Sequence, residues 1–252
     1  MVAHHDQTTD PVLLRSLLQA RRGTAFFARK LNELSDVELD GGSLLPGWSR
    51  RHVVAHVGYN ARAIARLVEW AATGVETPMY PSVEVRNHEI DFGATLSPIA
   101  LRNLFDHSAV HLNVEWRDLP ADNWHHKVKT VQGRTVPAEE TVWMRTREVW
   151  VHAVDLDNGA TFKDIPAPVL ERLLKDITGA WHARGTDKAL VVEVTGPSSP
   201  LTFGDTAAAS PAVVSGSLPA IAQWATGRGT DGTTAKRHGG LVTPAPPAPA
   251  WI

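Results

Sequence analysis

Apolar residues recur every three or four positions in four long stretches of this chain, and each stretch opens on a helix-start signal. After Asp10-Pro11, a capping residue followed by a proline suited to a first turn, VLLRSLLQARRGTAFFARKLNEL keeps the spacing through residues 12–34. Gly23 interrupts that helix at a modest propensity cost. Ser49 caps a second helix running to Thr73, with Val53, Val57, Ile64, Leu67, Val68 and Trp70 inward. Ser97-Pro98 opens a third, to about Arg117, with Leu101, Leu104, Phe105, Leu112 and Trp116 inward. The fourth covers Pro137 to Asn158. Pro137 is expected in its first turn, Glu139 and Glu140 near the positive end of its dipole, and Val142, Val149, Ala153 and Leu156 on its inner face. Four such helices make a bundle.

The stretches between them carry weaker patterns. Residues 74–96 form a long connection with a short helix expected around 82–91, and 118–136 a hairpin-like excursion around Gln132-Gly133. After Gly159 the character changes. Pro166 and Pro168 open a helix that ends near Gly185; ALVVEVTG reads as a strand, with PLTFGD its partner across a Gly-Pro-Ser-Ser turn. AVVSGS is a third strand, Ser217-Leu218-Pro219 caps a further helix, GRGTDG is a glycine-rich turn, and the tail is proline-rich and extended. The first nine residues are polar and expected to fray. This predicts an α+β protein, mainly α: a four-helix bundle over residues 1–162 and a smaller α/β domain over 163–252.

Composition narrows the chemistry. With 252 residues, 43% hydrophobic and 21% charged, the chain can bury an ample core. Net charge is −2 and the basic residues are scattered, so neither nucleic acid nor an anionic membrane is an expected partner. No apolar run approaches the ~18–20 residues of a membrane span and MVAHHDQTTD holds no signal segment, so a cytoplasmic location is expected. There are no cysteines, which rules out disulfides and a sulfur nucleophile of the chain's own; thiol chemistry here needs a bound small molecule. The nine tryptophans read mostly as core, with Trp48 singled out as a motif residue.

Within the fourth helix, Glu148 and His152 are four apart and share one side. Alone, such a pair reads as an exposed i,i+4 interaction. The second helix adds His52 and His56, another one-turn pair, of which His56 falls on the inward side and His52 at the rim. The third adds His107 and His111, a rival pair whose first member lies off the inner stripe. Imidazoles and a carboxylate from facing helices are how bundles build metal sites, and zinc suits these ligands best. Arg86 and His88 lie in the long connection, which is of a size that lines sites as well as linking helices. Neither a dinucleotide fingerprint, a phosphate loop, His-Glu-x-x-His nor Gly-x-Ser-x-Gly is present in its required context.

Three segments together, GWSRRHVVAHVGYNARAIARLVEWAATGVETPMY, RTVPAEETVWMRTREVWVHAVDLD and VSGSLPAIAQWATGRGTDG, resemble the mycothiol-dependent maleylpyruvate isomerase family. The similarity runs from Leu44 to the proline tail, and its Trp-Ser and Ala-His elements are shared with the wider DinB-like superfamily of thiol-dependent metalloenzymes. The resemblance implies a DinB-like bundle holding catalytic zinc, with no DNA function, and a smaller α/β domain. It implies zinc ligands His56, Glu148 and His152, with Arg86 and Arg228 near the site.

The reaction so implied is the cis–trans isomerisation of maleylpyruvate to fumarylpyruvate, in gentisate-type degradation of aromatic compounds. A thiolate of mycothiol adds to the cis double bond, the new single bond turns, and elimination leaves the trans product. Zinc would bind and deprotonate the sulfur, and arginine would hold the carboxylates of the enolate-like adduct. Arg228 requires the second domain to fold against the bundle, with substrate in the cleft. The enzyme is expected to act as a monomer on small molecules. A zinc- and mycothiol-dependent S-transferase acting on other electrophiles would use the same ligands, and a non-catalytic binding module is a further alternative.

Overall fold

Asp10 starts the first helix as its chemistry requires, its Oδ1 accepting the Val12 N–H at 2.8 Å with Pro11 in the first turn. The computed structural model describes residues 5–196, 201–204, 206–207, 211–236, 240 and 243–251. The first unit, Met1–Ala160, contains helices α1 (Pro11–Asn32), α2 (Arg50–Thr73), α3 (Val83–Ala94), α4 (Pro98–Asp118) and α5 (Glu140–Asp155). A two-stranded antiparallel ribbon, β1 (Lys127–Lys129) with β2 (Thr135–Pro137), precedes α5. The chain is α+β and mainly α.

The bundle is organised around α2, which packs on α3, α4 and α5, while α1 leans on α5. From Val53 to Val68 almost every α2 side chain is hidden, so this helix has apolar neighbours on nearly all sides. The core beside it is built from Leu17, Ile64, Leu67, Leu112, Trp116 and Val142, each worth roughly 1.5–3 kcal/mol once buried. Gly23 is more than a weak point in α1. A Cβ there would lie 2.6 Å from both Val149 Cγ2 and Trp150 Nε1, so the glycine lets α1 approach α5. Gly93 does the same for α3, where a Cβ would meet Tyr59 and Ala55 of α2 at 2.7 and 2.8 Å.

Two arginines at the start of α2 fix the end of the bundle where the candidate residues lie. Arg50 donates to the carbonyls of Leu156 (2.6 Å) and Asp157 (2.7 Å), occupying oxygens that the end of α5 leaves unpaired. Arg51 reaches Asp40 (2.5 Å) and the Leu96 carbonyl (2.7 Å). The helices that carry His56 and Glu148 are thereby tied end to end.

The second unit, Thr161–Ile252, holds α6 (Ala167–Arg184), β3 (Leu190–Thr195), β4 (Leu201–Gly204), β5 (Ala212–Ser217), α7 (Leu218–Ala225), β6 (Thr233–Lys236) and β7 (Thr243–Pro244). Its sheet has the order β4-β3-β5-β6-β7. β3 and β5 run parallel, with Val192 opposite Val214, and the remaining pairs are antiparallel. Trp181 of α6 and Trp224 of α7 meet edge to face at 5.7 Å in its interior. No helix among the described residues is long and apolar enough to cross a membrane.

Three expectations need correcting. Pro137 closes β2 instead of opening a helix. It pairs with Lys127, and the next two N–H groups bond the carbonyls of His126 and Trp124, so α5 begins only at Glu140. The helix in the long connection runs on to Ala94. The strand β6 was not expected, because TTAK is short, mostly polar and follows a glycine-rich turn. Residues 197–199 of the expected Gly-Pro-Ser-Ser turn, and residues 1–4 of the frayed start, lie outside the described residues.

Candidate metal centre

Helical spacing puts Glu148 and His152 one turn apart on α5, and α2 brings His56 against them. His56 Nε2 lies 2.9 Å from Glu148 Oε2, and His152 Nε2 lies 3.3 Å from the same oxygen. The donor atoms of all three lie within 4.8 Å of one another. The imidazoles of His56 and His152 meet edge to face at 4.7 Å. The side chains of His56, Glu148 and His152 are 7%, 17% and 13% exposed, so the trio is shielded and still reachable from solvent.

This donor set fits a small dication. Zinc bonds of about 2.0–2.1 Å in a tetrahedron keep neighbouring ligand atoms roughly 3.3 Å apart, close to the two separations found here. The electrostatics agree. Burial pushes His56 down to about 4, so its ring is neutral at physiological pH. Burial also opposes charge on Glu148, but hydrogen bonds from both imidazoles outweigh it and hold the carboxyl well below its usual range. For His152 burial works downward, yet the Asp155 and Glu148 carboxylates overcome it and push the ring up to about 9. Without metal, then, a proton on His152 balances Glu148. A bound dication would take over that role and release the proton.

Asp155 is the residue that sequence reasoning missed. It is fully buried, and its Oδ2 accepts from His152 Nδ1 at 2.8 Å, which leaves Nε2 facing Glu148. Metal-binding histidines commonly have such a carboxylate behind them, fixing tautomer and orientation. The available signal was an aspartate three residues after His152, set between Val154 and Leu156 on an otherwise apolar turn. Asp155→Asn is expected to weaken zinc binding roughly 10–100-fold. Chelator competition measures this, and an unchanged zinc affinity would reduce Asp155 to a space-filling role.

Around the trio, Trp48 packs its ring on His56 at 5.5 Å and on His52 at 6.2 Å. His52 itself serves the helix start, its Nδ1 meeting Ser49 Oγ at 2.7 Å. Arg86, on α3, is brought to the rim. Its Nη2 is 3.4 Å from His56 Nδ1 and its Nη1 donates to Asn87. His88 is exposed. Of the rival pair, His107 is exposed and His111 faces Glu69 and Glu115 at 3.7 and 3.3 Å on the surface of α2 and α4. Arg228 belongs to the second unit, in the turn after α7, where its Nη1 donates to the Thr226 carbonyl at 2.6 Å.

Comparison with known proteins follows this division. Residues 20–157 match the family model described as Mycothiol maleylpyruvate isomerase N-terminal domain, and residues 164–246 match the one described as MDMPI C-terminal domain. A crystal structure of the mycothiol-dependent maleylpyruvate isomerase is 48% identical, with a TM-score of 0.89 over 95% of this chain and 97% of that one. A histidine-to-alanine mutant of that isomerase aligns over the same shares at 48% identity and a TM-score of 0.88. A search of curated proteins found no significant match.

Proposed function

This chain belongs to the mycothiol-dependent maleylpyruvate isomerase family, and from that premise we propose that it converts maleylpyruvate to fumarylpyruvate with mycothiol as the thiol and zinc as the metal. The observation that carries the reading is the convergence of His56, Glu148 and His152, from two helices, on one small volume. In this reading residues 1–162 bind the metal and residues 163–252 contribute Arg228.

Held by three protein ligands, zinc would supply an open position at which a thiol sulfur is bound and loses its proton. The proposed course is thiolate addition to the cis double bond, rotation about the resulting single bond, and elimination that returns the thiol with the trans product. Substrate and product are isomers, so the thiol is neither consumed nor oxidised.

The chain's residues have separate tasks. His56, neutral because it is buried, and Glu148, ionised because two imidazoles bond it, need lose no net proton to become ligands; the His56 ring has only to shift its N–H from Nε2 to Nδ1. Asp155 keeps the Nδ1 proton of His152 and so directs Nε2 inward. Arg86 would take a substrate carboxylate and steady the negative charge that grows during addition; its guanidinium at the edge of His56 supports this role. Arg228 would take the second carboxylate. The indole of Trp48 and the low exposure of the trio limit competing hydration.

The test is an absorbance assay of maleylpyruvate on zinc-loaded and chelated protein, with and without mycothiol. Turnover is expected only when both zinc and thiol are present. Full turnover by the metal-free protein would reject the reading, and a stable thioether in place of fumarylpyruvate would transfer it to the S-transferase class.

A further inference from the structure

Because α1 leans on α5 and α2 packs on α4, the seam between α1 and α4 is loosely packed, bridged by the Phe27–Phe105 ring pair at 5.0 Å and by the Arg21–Asn113 and Arg102–Leu31 hydrogen bonds. A cavity of about 480 Å³ lies along it, within the roughly 300–1,000 Å³ range of small-molecule pockets. Its walls are apolar: Ala25 and Ala28 from α1, and Phe105, Ala109, Leu112 and Trp116 from α4. One buried polar side chain joins them, Arg145 of α5, which is 1% exposed.

Arg145 is incompletely satisfied. Its Nη1 donates to the Val57 carbonyl at 2.7 Å and to Asn60 Oδ1 at 3.0 Å, but its buried Nη2 has no hydrogen-bond partner among the described residues. Both acceptors that it does have are neutral; the Glu148 carboxylate acts on its charge from nearby but accepts no hydrogen bond from Nη2. Burial lowers the guanidinium to about 10, which still leaves it charged at neutral pH. A buried cation with an idle N–H at an apolar cavity lacks an acceptor, and a negatively charged one answers best.

We propose that this cavity is a second ligand site, taking a monocarboxylate with an apolar body: its carboxylate on Arg145, its hydrocarbon against Ala28, Phe105, Ala109 and Trp116. The mouth selects for a single charge. Asp106 is exposed there and repels a second carboxylate, whereas the Arg21 guanidinium beside it is already engaged by Asp6 and Asn113. The site is thereby chemically distinct from one built for a doubly charged maleyl substrate. The binding readout needs no isomerase activity, so either reading can fail without the other.

The probe is decanoate, titrated calorimetrically into the zinc-loaded full chain, with decanol and decanedioate as the uncharged and doubly charged controls. Decanoate is expected to saturate at one per chain with a dissociation constant on the order of 10–100 μM and to raise the melting temperature. Decanol and decanedioate are expected to bind at least about tenfold more weakly. Ala109→Trp, which fills the cavity, should abolish decanoate binding while zinc content stays unchanged; Ala25→Trp, at the exposed lip, gives the same reading if the first variant does not fold. Arg145→Met should bring decanoate and decanol to parity, and Arg86→Ala should leave decanoate binding as it was, whatever it does to turnover. The proposal is overturned by absence of saturable binding, as when an ordered water satisfies Nη2, by binding that survives the cavity-filling variants, or by binding that disappears with Arg86.

Discussion

His56→Ala is expected to lower kcat/KM by on the order of 10³, equivalent to about 4 kcal/mol of transition-state stabilisation, and to leave well under one zinc per chain. The reason is positional. His56 is the proposed ligand that comes from α2, whereas Glu148 and His152 are neighbours on α5. Without it the metal would be held from one side only, and Glu148 would lose its 2.9 Å partner. The fold should survive, since His56 adds one polar ring to an α2 surface otherwise buried by Val53, Val54, Val57 and Ile64. A destabilisation of about 1–3 kcal/mol is expected from the space left behind. Metal analysis, melting and steady-state kinetics on one preparation decide the matter. Stoichiometric zinc with near-normal turnover would remove His56 from the ligand set.

Arg228→Ala carries the second large effect, a loss of roughly 10²–10³ in kcat with zinc content unchanged. The residue also has a structural bond, from Nη1 to the Thr226 carbonyl at the end of α7, and its own carbonyl accepts from Gln223 at 3.3 Å. The two roles separate experimentally. If Arg228 only braces the turn, substitution lowers the melting temperature and spares kcat. If it holds a substrate carboxylate, kcat falls at constant stability and Arg228→Lys restores part of it, because an ammonium keeps the charge and loses the two-pronged fit.

Much of this was legible in the chain itself. The four bundle helices follow from periodicity and caps, and three lie within a few residues of their expected bounds. Two starts are marked by Asp10-Pro11 and Ser97-Pro98, whose side chains accept from Val12 and Ala100 N–H groups. Glu148 and His152 could be paired from spacing alone, and His56 from its place beside Val53 and Val57. Features that depend on tertiary partners could not be read. Proline suits both a helix start and a strand end, so the pairing of Pro137 with Lys127 was invisible until the ribbon closed. Gly23 looked like a cost to α1 because the approach of Val149 and Trp150 has no local signature. Arg145, in the polar-looking run MRTRE, is fully buried because α5 is enclosed on both flanks.

Sealed on nearly every side, α2 has little latitude for change: almost any altered side chain along it would disturb a packed neighbour. α3 is the opposite, with Val83, Glu84, Val85, Asn87 and His88 open to water beside Arg86. A scaffold so divided separates two kinds of inheritance. The helix that carries His56 tolerates little change, while the exposed positions of the adjoining short helix can be altered without disturbing a packed neighbour, so changes there would reshape the surroundings of Arg86 at little cost in stability.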